Sequence, residues 1–177
     1  MGYKSDPATT EDDEIRMRDL AEWTMRQLGT PRQSPFCADV VETATGKRLM
    51  RRLNAVAREH DPSSHAEVRV IRAATKRLKK TSLAGYTLYT TCEPCPMCMA
   101  TALWAGLDRV VYGATIDDAS EHCAQIYTYA KDLVKRSDLK CEVVGPVART
   151  ECRGIFEDPR MLEMTRQWRK SIRNVKK

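Results

Sequence analysis

Two short stretches constrain this chain more than any other feature: Thr91-Cys92-Glu93-Pro94-Cys95-Pro96-Met97-Cys98 and, upstream, His65-Ala66-Glu67. Cys95 and Cys98 are three residues apart, so a helix opening at Pro94 or Cys95 sets both sulfurs on one side of its first turn. Thiolates there face the positive end of the helix dipole, which lowers their pKa and favours metal binding. His65 can add an imidazole, giving a Cys2His zinc set. Three protein ligands leave the fourth position to water, the arrangement of a catalytic rather than a structural zinc. Glu67, two residues beyond His65, is then placed to take a proton from that water without being a ligand. Cys92 offers a competing reading, since as a fourth ligand it would close the site.

His-x-Glu followed by Pro-Cys-x-x-Cys is the signature of zinc-dependent nucleobase deaminases. From about Pro35 to Asp118 the chain resembles the cytidine and deoxycytidylate deaminase superfamily. The run Thr91 to Cys98, with Trp104-Ala105 beyond it, looks most like the bacterial guanine deaminase branch. The resemblance implies a three-layer α/β/α sandwich around a mixed five-stranded sheet. It also implies hydrolytic deamination of an aminated base, guanine to xanthine with release of ammonia, with Zn2+ on His65, Cys95 and Cys98. Glu67 would carry protons from water to the ring nitrogen and then to the leaving amine. Asn54 corresponds to a base-binding Asn, and Phe36 and Trp104 to aromatics that line the base pocket, although all three also suit ordinary strand-end or core positions. The backbone amides of Ala66 and Cys95 are implied donors near the metal. Within Ile116–Ala119, Asp118, or else Asp117, matches an aspartate that assists proton transfer; N-capping is the alternative for either. A homodimer also follows from the resemblance, sometimes with the C-terminal segment reaching into the neighbour's site.

Three positions depart from the family pattern. Cys37 stands where a Gly is usual, Asp39 puts a charge into an apolar strand, and Arg52 replaces a Gly two residues before Asn54. They leave the zinc chemistry intact and bear on the substrate, so another purine, cytosine or a triazine is an alternative to guanine. A tRNA adenosine deaminase shares the metal motif. Those enzymes carry Leu-Glu-Pro-Cys and Asp-Ala-Lys-Thr-Gly-Ala, however, where this chain has Cys92-Glu93-Pro94-Cys95 and Asp117-Asp118-Ala119-Ser120. A structural zinc module that binds nucleic acid would need four protein ligands and no exchangeable water. His60, His122 and Cys123 receive no role.

The chain's 177 residues suit one domain, read as residues 11–177 behind a polar, disordered segment 1–10. Seven scattered cysteines and the lack of an apolar leader or long apolar run fit a reducing cytoplasm and no membrane partner. The net charge is +6, with a basic C-terminal helix and tail (Arg166 to Lys177) that reads as a solvated face and a frayed end. Helical spacing marks 11–28, 65–79, 119–136 and a helix from Pro159 bearing Met161, Met164, Trp168 and Ile172. The metal helix runs to about Ala105, and the serines of Asp61-Pro62-Ser63-Ser64 are candidate N-caps for the helix at His65. Strands are expected at 36–42, 48–57, 86–91, 109–113 and 141–144. Val70, Ile71, Ala74 and Leu78 form a buried stripe that begins at Glu67, so that carboxylate should point inward.

Overall fold

A computed structural model describes the backbone of residues 9–171 and the side chains as far as residue 166. Helix α1 (Glu11–Gln27) opens at Thr10, whose hydroxyl accepts from the Asp13 N–H while Asp13 Oδ2 accepts from the Thr10 N–H at 2.9 Å. This capping box satisfies two donors that the helix cannot satisfy itself. Met17, Leu20, Ala21, Thr24 and Leu28 are buried, as their spacing predicts.

Strands β1 (Cys37–Glu42) and β2 (Arg48–Leu53) make a hairpin whose turn closes through the Gly46 N–H to Glu42 O at 2.8 Å. Gly46 has φ +68°, a region that costs a side-chain-bearing residue energy. Strands β3 (Tyr86–Cys92), β4 (Arg109–Ala114) and β5 (Glu142–Val144) complete a sheet of order β2-β1-β3-β4-β5. Pairing is antiparallel from β2 to β3 and parallel from β3 to β5. Parallel neighbours need crossover connections. The β3–β4 crossover carries α4 (Pro96–Trp104), and the β4–β5 crossover carries α5 (Ile116–Ser120) and α6 (Ala130–Lys135).

Alternation along the strands sorts the core into two halves. Cys37, Val41, Tyr89, Cys92, Val111 and Ala114 pack against α1 and α7 (Arg149–Glu157), which in turn meets α8 (Pro159–Ser171). Ala38, Val40, Leu88, Val110 and Tyr112 pack on the other side, against α3 (Ala66–Leu78), α4 and α6. The expected three-layer α/β/α sandwich around a mixed five-stranded sheet is therefore observed. Gly113 lets α7 approach β4: a Cβ there would lie 2.2 Å from Cys152 Sγ.

Several local expectations are corrected. Strand β2 stops at Leu53 rather than 57, because the Ala55 N–H turns to Ser64 O and Val56 opens the single-turn helix α2 (Val56–Glu59). Neither Ser63 nor Ser64 caps α3: the Ser64 hydroxyl is taken by Glu59 and Asp61, and His65 is the N-cap residue. The helix expected over 119–136 is broken into α5 and α6 by an extended run through Gln125–Tyr129, and Ile126 in that run is 64% exposed. Residues such as Ile, Tyr and Thr are weak helix formers, so tertiary bonds decide this segment. Helix α7 was not anticipated, although Cys152, Ile155 and Phe156 form a legible i, i+3, i+4 stripe. Of the segment 1–10 expected to be disordered, Thr10 instead caps α1, whereas residues 1–8, like the Trp168 side chain, Ile172 and the end of the basic tail, lie outside the described residues.

Candidate metal centre

Two helix N-termini converge on the sequence motif. His65 is the N-cap residue of α3 and Cys95 that of α4, both in extended backbone conformation and neither using its side chain as a cap. Pro96 occupies the first turn of α4, where a missing N–H costs nothing, and Cys98 follows in the same turn. The two sulfurs are 3.6 Å apart, and His65 Nδ1 lies 3.7 Å from Cys95 Sγ and 3.5 Å from Cys98 Sγ. A tetrahedral zinc with bonds of about 2.3 Å to sulfur and about 2.0 Å to nitrogen separates its ligands by about 3.8 Å (S to S) and about 3.5 Å (S to N). The donor set therefore fits zinc in type and in spacing, and among the described residues these three are the ones that can hold a metal together.

Electrostatics agree with that use. The Cys98 thiol hydrogen-bonds Cys95 and, with His65 alongside, draws the Cys95 thiol down to about 4 against the opposing effect of burial. The same pairing, added to burial, pushes Cys98 far up, so the two sulfurs hold one proton between them. Binding of a divalent cation releases such a proton. The Cys95 sulfur also raises the pKa of His65. The remaining thiols behave differently: burial pushes Cys37 and Cys152 up to about 12 and Cys92 well up, which leaves them protonated. Cys92 faces the α1 side of the sheet, with its sulfur 3.8 Å from Thr115 O, and so does not join the other two.

Glu67 is 4% exposed in the first turn of α3. Its Oε1 accepts from Thr90 Oγ1 at 3.3 Å, and burial raises its pKa. No arginine or lysine pairs with it among the described residues. Ala66, fully buried, opens α3, so its N–H is one of those a helix leaves unpaired. Asn54 is half-buried just beyond β2; its backbone N–H donates to Phe36 O at 3.0 Å, and its amide side chain makes no bond among the described residues. Phe36 is half-buried where the two cores meet and packs edge-on against Phe156 at 5.4 Å.

Two expected site residues are not placed for their roles. Trp104 is 80% exposed at the end of α4, so this chain by itself does not enclose it in a pocket. Asp118 is in a capping box with Thr115 and binds Arg149 through both oxygens, at 2.7 and 2.9 Å. That guanidinium holds its carboxyl far below the usual carboxylate range. The fallback, Asp117, accepts from the Tyr129 hydroxyl at 3.0 Å on the surface.

The departures from the family pattern also resolve. Cys37 and Asp39 point to the α1 face, away from Glu67. Asp39 sits opposite Arg51 in register and accepts two bonds from that guanidinium at 2.7 Å, a third going to Asp19. Arg52 turns its guanidinium to Arg51 O on the sheet edge, at 2.8 Å. These positions therefore do not line the metal centre. Glu93 was not anticipated. Its buried carboxylate accepts from the Ile116 and Ala130 N–H groups at 3.3 and 3.0 Å, capping α5 and α6 together two residues before Cys95. An acid inside a metal motif with no ligand role was its only sequence signal.

Comparison with known proteins extends this picture. Over 87 residues the chain is 42% identical to the guanine deaminase of Bacillus subtilis, covering 49% of this chain and 54% of that protein. The chain thus spans about half the length of that relative. It is 34% identical over 111 residues to the tRNA-specific adenosine deaminase of the same organism, covering 63% of this chain and 67% of that one. Its fold superposes on a guanine deaminase from Nitrosomonas europaea with a TM-score of 0.75 at 20% identity, over 88% and 87% of the two chains. The profile of the cytidine and deoxycytidylate deaminase zinc-binding region matches residues 10–114, a stretch that holds all three ligands, and the chain belongs to that family.

Proposed function

We propose that the chain catalyses zinc-dependent hydrolytic deamination of an aminated nucleobase, with guanine as the substrate and xanthine and ammonia as products. The observation that carries this reading is Glu67: a buried carboxylate with no cation partner, beside two thiols and an imidazole spaced for zinc. Zinc, which His65, Cys95 and Cys98 would hold, would supply Lewis acidity that lowers the pKa of a water from 15.7 towards about 7. Glu67 would take one proton from the attacking water and pass it to the ring nitrogen next to the attacked carbon, then take the second proton from the hydroxyl now on that carbon and deliver it to the departing amine, so that a carbonyl replaces the amine. Burial raises the pKa of Glu67, which favours return of the proton to the substrate. Asn54, with its uncommitted amide, and the Ala66 N–H hydrogen-bond the base, and Phe36 gives it an apolar wall.

The similarity to the Bacillus guanine deaminase supports guanine. The similarity to the tRNA-specific enzyme keeps adenosine in RNA as the second reading. Residues 11–177 act as one domain, a homodimer in the cytoplasm; among the described residues no helix is long and apolar enough to cross a membrane. The deciding experiment is ammonia release by zinc-loaded protein from guanine, adenine, cytosine and an anticodon stem-loop, with Glu67→Ala in parallel. Turnover of guanine that depends on Glu67 is expected. Turnover of the stem-loop alone would replace guanine by the second reading, and light scattering would test the dimer.

A further inference from the structure

The two threonines that precede the metal loop on β3 serve different sides of the site. Thr90 donates its hydroxyl to Glu67. Thr91 is fully buried, and its hydroxyl bonds the backbone at the entry to β1. It donates to Pro35 O at 2.8 Å and accepts from the Cys37 N–H at 3.0 Å. A hydroxyl has one proton to donate and lone pairs to accept with, and here both roles are committed. The residue bracketed by these bonds is Phe36.

The bracket reaches beyond Phe36. Ladder pairing of β1 with β3 ends at Ala38 and Thr90, and past that point the Thr91 side chain takes over the connection. The other polar groups of Phe36 are also bound: its N–H donates to Ser34 Oγ at 3.1 Å, and its carbonyl accepts from the Asn54 N–H at 3.0 Å. The next amide, that of Ala55, donates to Ser64 O at 2.9 Å, and Ser64 directly precedes the candidate ligand His65. Asn54 is therefore strung between the Phe36 backbone and the loop that presents His65. Satisfying buried backbone groups accounts for a hydroxyl at position 91. Its bonds fall, however, on either side of the proposed apolar wall, and that wall is one hydrogen bond from the proposed base-binding residue.

On the nucleobase-deaminase reading above, on which this rests, we propose that Thr91 is a positioning residue for the base: its hydroxyl fixes Phe36 and, through Phe36, Asn54. With its hydroxyl committed to backbone, Thr91 acts on how the base is held rather than on proton transfer. Thr90 acts on Glu67 and hence on proton transfer. Substitutions at these adjacent residues therefore split the kinetic constants in opposite ways, Thr91 through KM and Thr90 through kcat.

The test is steady-state ammonia release by zinc-loaded Thr91→Val, Thr91→Ser and Ser34→Ala, on whichever of the bases or the stem-loop the wild type turns over fastest. Zinc analysis and urea unfolding run beside it. Thr91→Val keeps the shape and removes both bonds, so KM should rise about tenfold or more with kcat within about threefold of wild type, the pattern of lost uniform binding. Thr91→Ser keeps the hydroxyl and should hold KM within about twofold. Ser34→Ala removes one bond from the same stretch of backbone and should raise KM about threefold; it decides the matter if Thr91→Val does not fold. Zinc content should match wild type in all three. The proposal alone is overturned if the wild type is active and folded Thr91→Val and Ser34→Ala keep its KM, or if kcat falls instead of KM rising. It is also overturned if Thr91→Ser is as impaired as Thr91→Val, or if zinc is lost. A wild type that releases ammonia from none of these substrates overturns the deaminase reading and the proposal together.

Discussion

The two faces of the sheet treat buried carboxylates in opposite ways. On the α1 face every buried acid has a guanidinium. Asp13 is held by Arg109 at 2.6 and 2.8 Å and by the Tyr89 hydroxyl at 2.9 Å, and Asp39 is held by Arg51. On the α3–α4 face Glu67 is equally buried, yet its described partners are a threonine hydroxyl, its own backbone N–H and the Cys98 thiol. Burying a charge alone is costly, whereas a paired one is tolerable. Guanidinium groups hold Asp13 and Asp39, and the backbone N–H groups of Ile116 and Ala130 hold the buried Glu93, which leaves Glu67 as the buried acid that the proposed proton transfer would use. By the same criterion Asp118, engaged by Arg149, belongs with the structural acids despite lying in the motif region.

The sharpest way to break this comparison is Glu67→Gln. Turnover should fall by roughly 10²–10⁴-fold while zinc content is kept. Stability at neutral pH should hold or rise, because Gln removes an uncompensated buried charge. Loss of zinc, or a lower unfolding midpoint, would return Glu67 to the structural class. The opposite outcome is expected across the sheet. Arg109→Met leaves Asp13 buried and unpaired, and should cost about 3–5 kcal/mol in urea unfolding, with little change in the activity of the folded fraction.

Acid titration gives a smaller effect with a definite sign. Burial pushes Asp13 up, but Arg109, Thr10 and Tyr89 outweigh it and hold the carboxyl at about 2, below its ordinary 3.8. A depressed carboxyl contributes stability that is complete above its unfolded pKa and is lost as pH falls through the folded one. The window is thus 3.8 down to about 2, and the contribution there is about 2 kcal/mol. Urea midpoints that fall across this window in wild type, and less so in Asp13→Asn, would bear it out. The smallest expected effect tests the positioning of Glu67. Thr90→Val removes one hydrogen bond to its carboxylate, worth about 1 kcal/mol, and should lower kcat less than about tenfold with KM nearly unchanged.

Much of the site could be read in the sequence because its geometry is local. Cys95 and Cys98 lie within one helical turn, and Glu67 follows His65 at the start of another, so spacing alone fixes their relative placement. The strand alternation and the stripe of α1 were legible for the same reason. What failed depended on partners distant in the chain. Asp118 reads as a plausible proton carrier until Arg149, 31 residues away, takes both of its oxygens. Asp39 reads as a misplaced charge until the hairpin register sets Arg51 opposite it. The stretch from 119 to 136 reads as one helix until Glu93 caps two separate helix starts.

The sequence by itself determined the metal ligands, the inward carboxylate, the α/β layering and the family. Each depends on residue type and on periodicities that a short segment carries unaided. The tertiary structure alone decided which acids are neutralised and which remain available, and that Cys92 faces away from His65, Cys95 and Cys98. Those outcomes depend on which side chains long-range packing brings together, and charge pairing falls off over distances that spacing along the chain does not encode.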